Sequence, residues 1–247
     1  MKTTYKLFIT ALLAAGSLLT SAVAAPLTLD VAADNWVSGT DGFQDKHYGG
    51  WDQISVHNEG AGTLEKERIG FFRFDLSSYT GGTISGAELE WVVNDTWNGT
   101  PEFTIYGISD GGASENFEEG ATTDPAGTLQ SWNNSGYTYS SGQSLSDSAS
   151  FGDLVDLGSM TVTNNSVGST ATFSSAALDT FLNNDGNDIA TFLVDHTNGS
   201  GNVGGFRSKE HSSGGGATLT VIPEPSSVVL VAMGFIAVLG FARKRRG

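Results

Sequence analysis

Three observations predict an all-β chain folded as a two-sheet antiparallel β-sandwich, jelly-roll-like, with a signal peptide before it and a hydrophobic helix after it. Short runs alternate apolar and polar residues with a period of two. Other short runs are apolar on both faces, as central strands of a layered sheet are. The intervals between them are rich in Gly, Ser, Asn and Asp, which make turns and surface loops.

The chain opens with Lys2 and Lys6 ahead of an apolar run from Leu7 to Leu19 and the small-residue triplet Ala22-Val23-Ala24. That order is a Sec-type signal peptide over residues 1–24. Cleavage after Ala24 is favoured over cleavage after Ala25, which would leave Pro26 directly behind the cut. The folded body then spans 25–222, with no internal repeat and no second domain.

Charge narrows the function. The whole chain carries a net charge of −15, but six of its twelve bases lie in the two terminal segments. Between Ala25 and Ile222 there are 26 acids against six bases, a formal charge of −20. Such a body repels phosphate backbones and anionic lipid, which excludes nucleic acid as a partner. There is no cysteine, so stability rests on packing, helped by any bound cation, although the export signal leads to a compartment where disulfides form.

The strands follow from pattern. In "AELEWVVN" the residues Leu89, Trp91 and Val93 share one face, with Glu88, Glu90 and Asn94 on the other, as in a half-buried antiparallel strand. "EFTIYGIS" opposes Phe103 and Ile105 to Thr104 and Tyr106, while "IGFFRFDL" and "IATFLVDH" are largely apolar on both faces. One stretch, "SSAALDTFLNNDG", has helical spacing, with Ala177, Leu178, Phe181 and Leu182 on one side, Ser174 or Ser175 as cap and Gly186 past the end. The long interval from Ser109 to Ser150 reads as an insertion.

The C-terminus is bipartite. Val228 to Phe241 holds no charged or strongly polar residue, and Arg243, Lys244, Arg245 and Arg246 follow at once. The segment is at the short limit for a membrane span of about 30 Å, and the basic cluster would face the cytoplasm. Pro223-Glu224-Pro225, the apolar helix and the terminal bases together resemble the PEP-CTERM sorting signal, here 223–247. The resemblance implies transient anchoring in the inner membrane, processing near the tripeptide by an exosortase, and delivery to the cell surface or beyond. An ordinary single-span anchor is the alternative.

The body resembles DNRLRE-type carbohydrate-binding modules. The resemblance is carried by "AADNWVSGTDGFQDKHYGGWDQISVHN", "ERIGFFRFDLSSYTGGTISGAELEWVV" and "VGGFRSKEHSSGGGATLTV". Within them the matching elements are the His47-Tyr48-Gly49 turn, the strand from Arg68 to Ser77, the segment from Ile84 to Leu89 and the Ser208-Lys209-Glu210 turn. His47 stands where the family pattern has Asn, and Ser109 to Asn187 carries no matching motif. What the resemblance implies is an extracellular sandwich that binds polysaccharide, in known members often an acidic one.

Candidate ligand-binding residues follow from that implication and from chemistry. Arg73, Arg207 and Lys209 are among the few cations available to an acidic glycan, and an Arg fork holds a carboxylate with two parallel hydrogen bonds. Trp36, Tyr48 and Trp51 offer rings for stacking on sugar C–H faces. Each has a structural alternative: Arg73 paired with Asp75 or Glu67 inside its strand, and the aromatics as core or loop anchors. The strongly negative body favours a neutral glycan as much as an acidic one. For a structural Ca2+, "NNDGND" offers Asp185 and Asp188, and "DGFQD" offers Asp41 and Asp45. Neither fits the twelve-residue EF-hand loop, and a solvated turn is the alternative for both.

Catalysis draws little support. His47, His57, His196 and His211 lack zinc-helix spacing, and no Gly-x-Ser-x-Gly elbow occurs. The expectation is an exported, non-catalytic carbohydrate-binding protein of the cell surface, extracellular matrix or biofilm polymer. A structural adhesion protein and a polysaccharide lyase or glycoside hydrolase are the alternatives.

Overall fold

The computed structural model describes residues 25–58, 67–122, 127–139, 145, 151–197 and 203–224. The signal peptide, Pro225, the apolar C-terminal segment and the basic cluster lie outside them. Among the described residues no helix is long and apolar enough to cross a membrane.

Among the described residues, eleven strands form two antiparallel sheets, as the alternation predicts. The first sheet holds β1 (Leu27–Asp30), β3 (Gln53–Val56), β5 (Ile84–Asp95), β8 (Thr170–Phe173), β10 (Gly204–Arg207) and β11 (Thr218–Pro223). The second runs in the order β2 (Ala33–Ser38), β4 (Arg68–Asp75), β9 (Ile189–His196), β6 (Glu102–Ile108), β7 (Leu154–Thr161). The long strand β5 organises the first sheet. Leu89 and Glu90 pair with β8 and also with β11, so those two strands flank β5 on opposite edges. Val93 gives both backbone groups to Gly168 and Ser169 on the β8 edge. Strand β10, paired at Val93 and Asp95, therefore lies end to end with β11 along the other edge. Between them residues 208–217 leave the sheet, and this excursion carries the Ser208-Lys209-Glu210 turn.

The inner faces of the two sheets meet over a core that includes Trp91, Phe72, Phe74, Phe103, Phe192 and Phe206, all shielded from solvent. Each such Phe contributes about 1.5–3 kcal/mol of transfer free energy. The predicted helix is α1 (Ala176–Asn183), capped by the Ser175 hydroxyl, which accepts the Leu178 N–H at 3.0 Å. It closes one end of the sandwich with Leu178, Phe181 and Leu182. Phe181 lies against Gly107, where a Cβ would come within 2.5 Å of the ring.

One expectation needs correcting. Tyr106, placed on the polar side of β6, is buried, and so is Ile108 two residues on. The cause is the insertion, whose described residues cover the outer face of the second sheet. Phe117, Trp132, Tyr137 and Tyr139 form a second core with Ala33, Val37, Ile69, Phe71, Tyr106, Ile108 and Leu193. Strands β2, β4 and β9 and most of β6 are therefore buried on both faces, which is why β4 and β9 read as largely apolar on both faces, while the edge strand β7 leaves Val155 exposed. Arg73 points to this outer face. Its guanidinium donates to Asn116 Oδ1 at 2.5 Å and to the Phe117 carbonyl at 2.7 Å, so it clamps the insertion rather than pairing with Asp75 or Glu67. Thr191 makes a similar tie to the Glu115 carbonyl at 2.5 Å.

The cover also seals an acidic residue. Asp195 in β9 is fully buried near Glu67, and Glu67 accepts the Tyr139 hydroxyl at 2.9 Å. Burial, aided by the Glu67 charge and opposed by the Leu145 and His196 N–H groups, pushes Asp195 up to about 7. The folded chain therefore holds a proton that the unfolded chain, at its ordinary 3.8, releases. Stability contributed by Asp195 is present at low pH and declines as pH rises through about 4 to about 7, with a slope of up to about 1.4 kcal/mol per pH unit. Denaturant unfolding of wild type and Asp195→Asn across that range should show the difference between them shrinking or reversing as pH rises; a pH-independent difference contradicts the assignment. The second core predicts that Phe117→Ala lowers the unfolding free energy by about 3–5 kcal/mol, the usual cost of emptying a core Phe site. A loss below about 1 kcal/mol would mean that the insertion only drapes over the sheet.

Candidate functional site

Two turns that carry the family resemblance meet at one edge of the sandwich. After β2 the chain passes through His47-Tyr48-Gly49, held from both sides. The Tyr48 N–H donates to Asn35 Oδ1 at 3.1 Å, and the Asn35 amide donates in turn to the Gln130 carbonyl and side chain. His47 is buried, with Nδ1 2.9 Å from the Gln130 carbonyl and Nε2 3.1 Å from the Gly120 carbonyl and 3.2 Å from the Gly120 N–H. Gly49 is required by close approach, since a Cβ there would meet the Gly120 carbonyl at 2.6 Å. The unusual His47 thus fastens the turn to the insertion.

This turn assembles the three candidate aromatics. Tyr48 stacks on Trp36 with centroids 3.7 Å apart and planes within 14°. Trp51 stands edge-on to both, at 5.8 Å and 5.7 Å. The first two rings are buried, whereas Trp51 is 46% exposed. Arg68 lies over Trp36 at 4.9 Å and donates to Ser55 Oγ at 2.9 Å; burial lowers its pKa. The arrangement is a rigid buried pair that props one ring up into solvent.

The excursion 208–217 arrives beside Trp51. The Ser208 hydroxyl donates to the Trp51 carbonyl at 2.5 Å, and the Ser208 N–H to the Asp52 carbonyl at 3.3 Å. The next N–H, of Lys209, donates to Asp34 Oδ2 at 2.7 Å. The Lys209 ammonium reaches Glu119 Oε2 at 2.6 Å, Glu210 Oε1 at 3.4 Å and the Ala32 carbonyl at 3.3 Å. Two carboxylates thus pair with the ammonium, and a third, Asp34, takes the backbone N–H of the same residue. Burial pushes Asp34 up to about 8, with the Lys209 N–H opposing and the charges of Glu119 and Glu210 adding. Burial and the Glu119 carboxylate raise Glu210. Burial works to lower Lys209, but its bond to Glu119 and the two Glu charges outweigh that and raise it.

The other candidates sit elsewhere. Arg73 is under the insertion, and Arg207, at the base of the excursion, folds its guanidinium onto the Gly214 carbonyl at 3.2 Å. In the turn before β9, Asp185 Oδ1 accepts the N–H groups of Asn187 and Asp188, at 3.2 Å and 2.7 Å, while Asp188 sits in the left-handed region at φ +63°. Asp45 accepts the Asn133 amide at 2.6 Å and Asp41 lies on an exposed turn. Among the described residues, the carboxylates that converge are instead Asp34, Glu119 and Glu210. The sorting tripeptide begins inside the sheet: buried Pro223 pairs with Ile84, and the Glu224 N–H donates to the Thr83 carbonyl at 2.8 Å.

The first of the two turns, His47-Tyr48-Gly49, falls in sequence that compares with a known module. Residues 25–141 match carbohydrate-binding module family 96. That range contains Trp36, His47, Tyr48, Trp51 and Glu119, and the Ser208-Lys209-Glu210 turn lies beyond it. Residues 221–246 match the PEP-CTERM protein-sorting motif. No curated protein matches the sequence. Among solved structures, the chain is similar to a latent aurone synthase (polyphenol oxidase) from natural source, with a TM-score of 0.31 and 11% identity, covering 69% of this chain and 29% of that one. A recombinantly expressed form of latent aurone synthase gives a TM-score of 0.28 and 11% identity over 70% of this chain and 29% of that one. Likeness this weak says nothing about activity.

Sequence reasoning missed Asp34, Glu119 and Glu210 as a group. The one local signal was Asp34, an acid in the middle of a strand whose neighbours are all buried.

Proposed function

We propose that the chain is an exported carbohydrate-binding protein without catalytic activity, serving at the cell surface or in an extracellular polymer. On this reading it is anchored transiently in the inner membrane and processed by an exosortase near Pro223-Glu224-Pro225. The family 96 match supports the binding, and the sorting match supports the export. The observation that carries the reading is the Trp51 ring, 46% exposed yet held edge-on against Trp36 and Tyr48, with its backbone carbonyl tied to the Ser208 hydroxyl. An aromatic face held this way stacks on the apolar C–H face of a sugar without first losing side-chain freedom.

The charges favour a neutral saccharide. Lys209 is already paired with Glu119 and Glu210, and Arg73 is committed to the insertion. The body's charge of −20, from 26 acids and six bases, repels polyanions.

Affinity electrophoresis of the full-length chain in mild detergent, in gels cast with a neutral or an acidic polysaccharide, tests the reading. Retardation by a neutral polysaccharide is expected, weakened about tenfold or more by Trp51→Ala with the thermal unfolding temperature nearly unchanged. Release of reducing or unsaturated ends would make the protein an enzyme, and retardation that survives Trp51→Ala would move the site elsewhere.

A further inference from the structure

We propose that Asp34, Glu119 and Glu210 form a site for one hard divalent cation, Ca2+, in the position that the Lys209 ammonium holds. The three carboxylates come from β2, from the insertion and from the excursion, and one oxygen of each lies within 4.8 Å of the others. The Lys209 ammonium marks where positive charge sits among them, with oxygens of Glu119 at 2.6 Å, Ala32 at 3.3 Å and Glu210 at 3.4 Å.

A separate observation shows that the lysine does not complete the site. Asp34 is fully buried; its Oδ2 accepts the Lys209 N–H, while its Oδ1 is buried in the same corner without a partner. An orphaned carboxylate oxygen out of water is costly.

The donor set selects the ion. Three carboxylates and the Ala32 carbonyl are hard oxygen ligands, with no imidazole or thiolate among them, and waters complete the six to eight oxygens that Ca2+ takes. Lys209 is the removable element. Its side chain is 40% exposed and sits on a flexible stem, so it rotates into solvent when a divalent ion enters. Binding of the metal and release of the lysine are one event, which makes Lys209 a built-in competitor.

Calorimetric titration of CaCl2 into the chelator-stripped full-length chain in mild detergent, with thermal unfolding measured in parallel, tests this. Wild type should bind one ion per chain saturably and unfold at a higher temperature with calcium. Lys209→Ala should bind about tenfold more tightly or better, since it removes the competitor. The double variant Glu119→Gln/Glu210→Gln, near-isosteric at both positions and its fold checked by circular dichroism, should lose the heat and the stabilisation. No saturable binding in either wild type or Lys209→Ala overturns the proposal. So does a Lys209→Ala affinity equal to or weaker than wild type. Binding undiminished in the double variant also overturns it, placing the ion elsewhere, as at Asp185 and Asp188. The titration contains no saccharide, so its outcome is independent of glycan binding.

Discussion

The central strands of the second sheet, β2, β4, β9 and most of β6, are buried on both faces, and the rest of the molecule depends on that. One face packs against the first sheet; the other packs against the insertion through Phe71, Phe117 and Tyr137. Without that cover the sheet would expose Ile69, Phe71 and Leu193 to water as a contiguous apolar patch. The cover is tied at its polar points as well as its apolar ones. Arg73, Thr191 and the His47–Gln130 contact each satisfy a backbone group that burial would otherwise strand.

That cover builds the site. Glu119 and Gly120 are brought to the edge of the sandwich because the insertion is pinned there, so the His47-Tyr48-Gly49 turn has a backbone to lean on. The excursion between β10 and β11 approaches from the other sheet and meets the same place through Ser208 and Lys209. Trp51 is held by both. An exposed ring and a cluster of three carboxylates thus share one edge, one suited to a sugar face and the other to a cation.

What was legible in the sequence was what is local. The alternation of Leu89, Trp91 and Val93 and the cap-to-Phe181 spacing of α1 are set by neighbours a few residues away, and both appear as read. The burial of Tyr106 was not legible, because the face it occupies is polar or apolar according to what a distant segment does. Arg73 shows the same limit: its nearest acids in sequence were plausible partners, but its hydrogen bonds go to Asn116 and Phe117, more than forty positions along. The aromatic candidates were identifiable by type, and their stacking only by the fold. Glu119 sits in a stretch without a motif, so its convergence with Asp34 and Glu210 had no sequence signature.

Native-state hydrogen exchange measures the central constraint directly. The amides of Gly111, Ala113, Glu115 and Gly120 bond to Glu115, Asp153, Gly112 and His47. If the insertion belongs to the same cooperative unit as the sheet it covers, these amides exchange with the protection of those in β4 and β9 and lose it at the same denaturant concentration. Exchange at surface-loop rates while β4 and β9 stay protected would contradict the account.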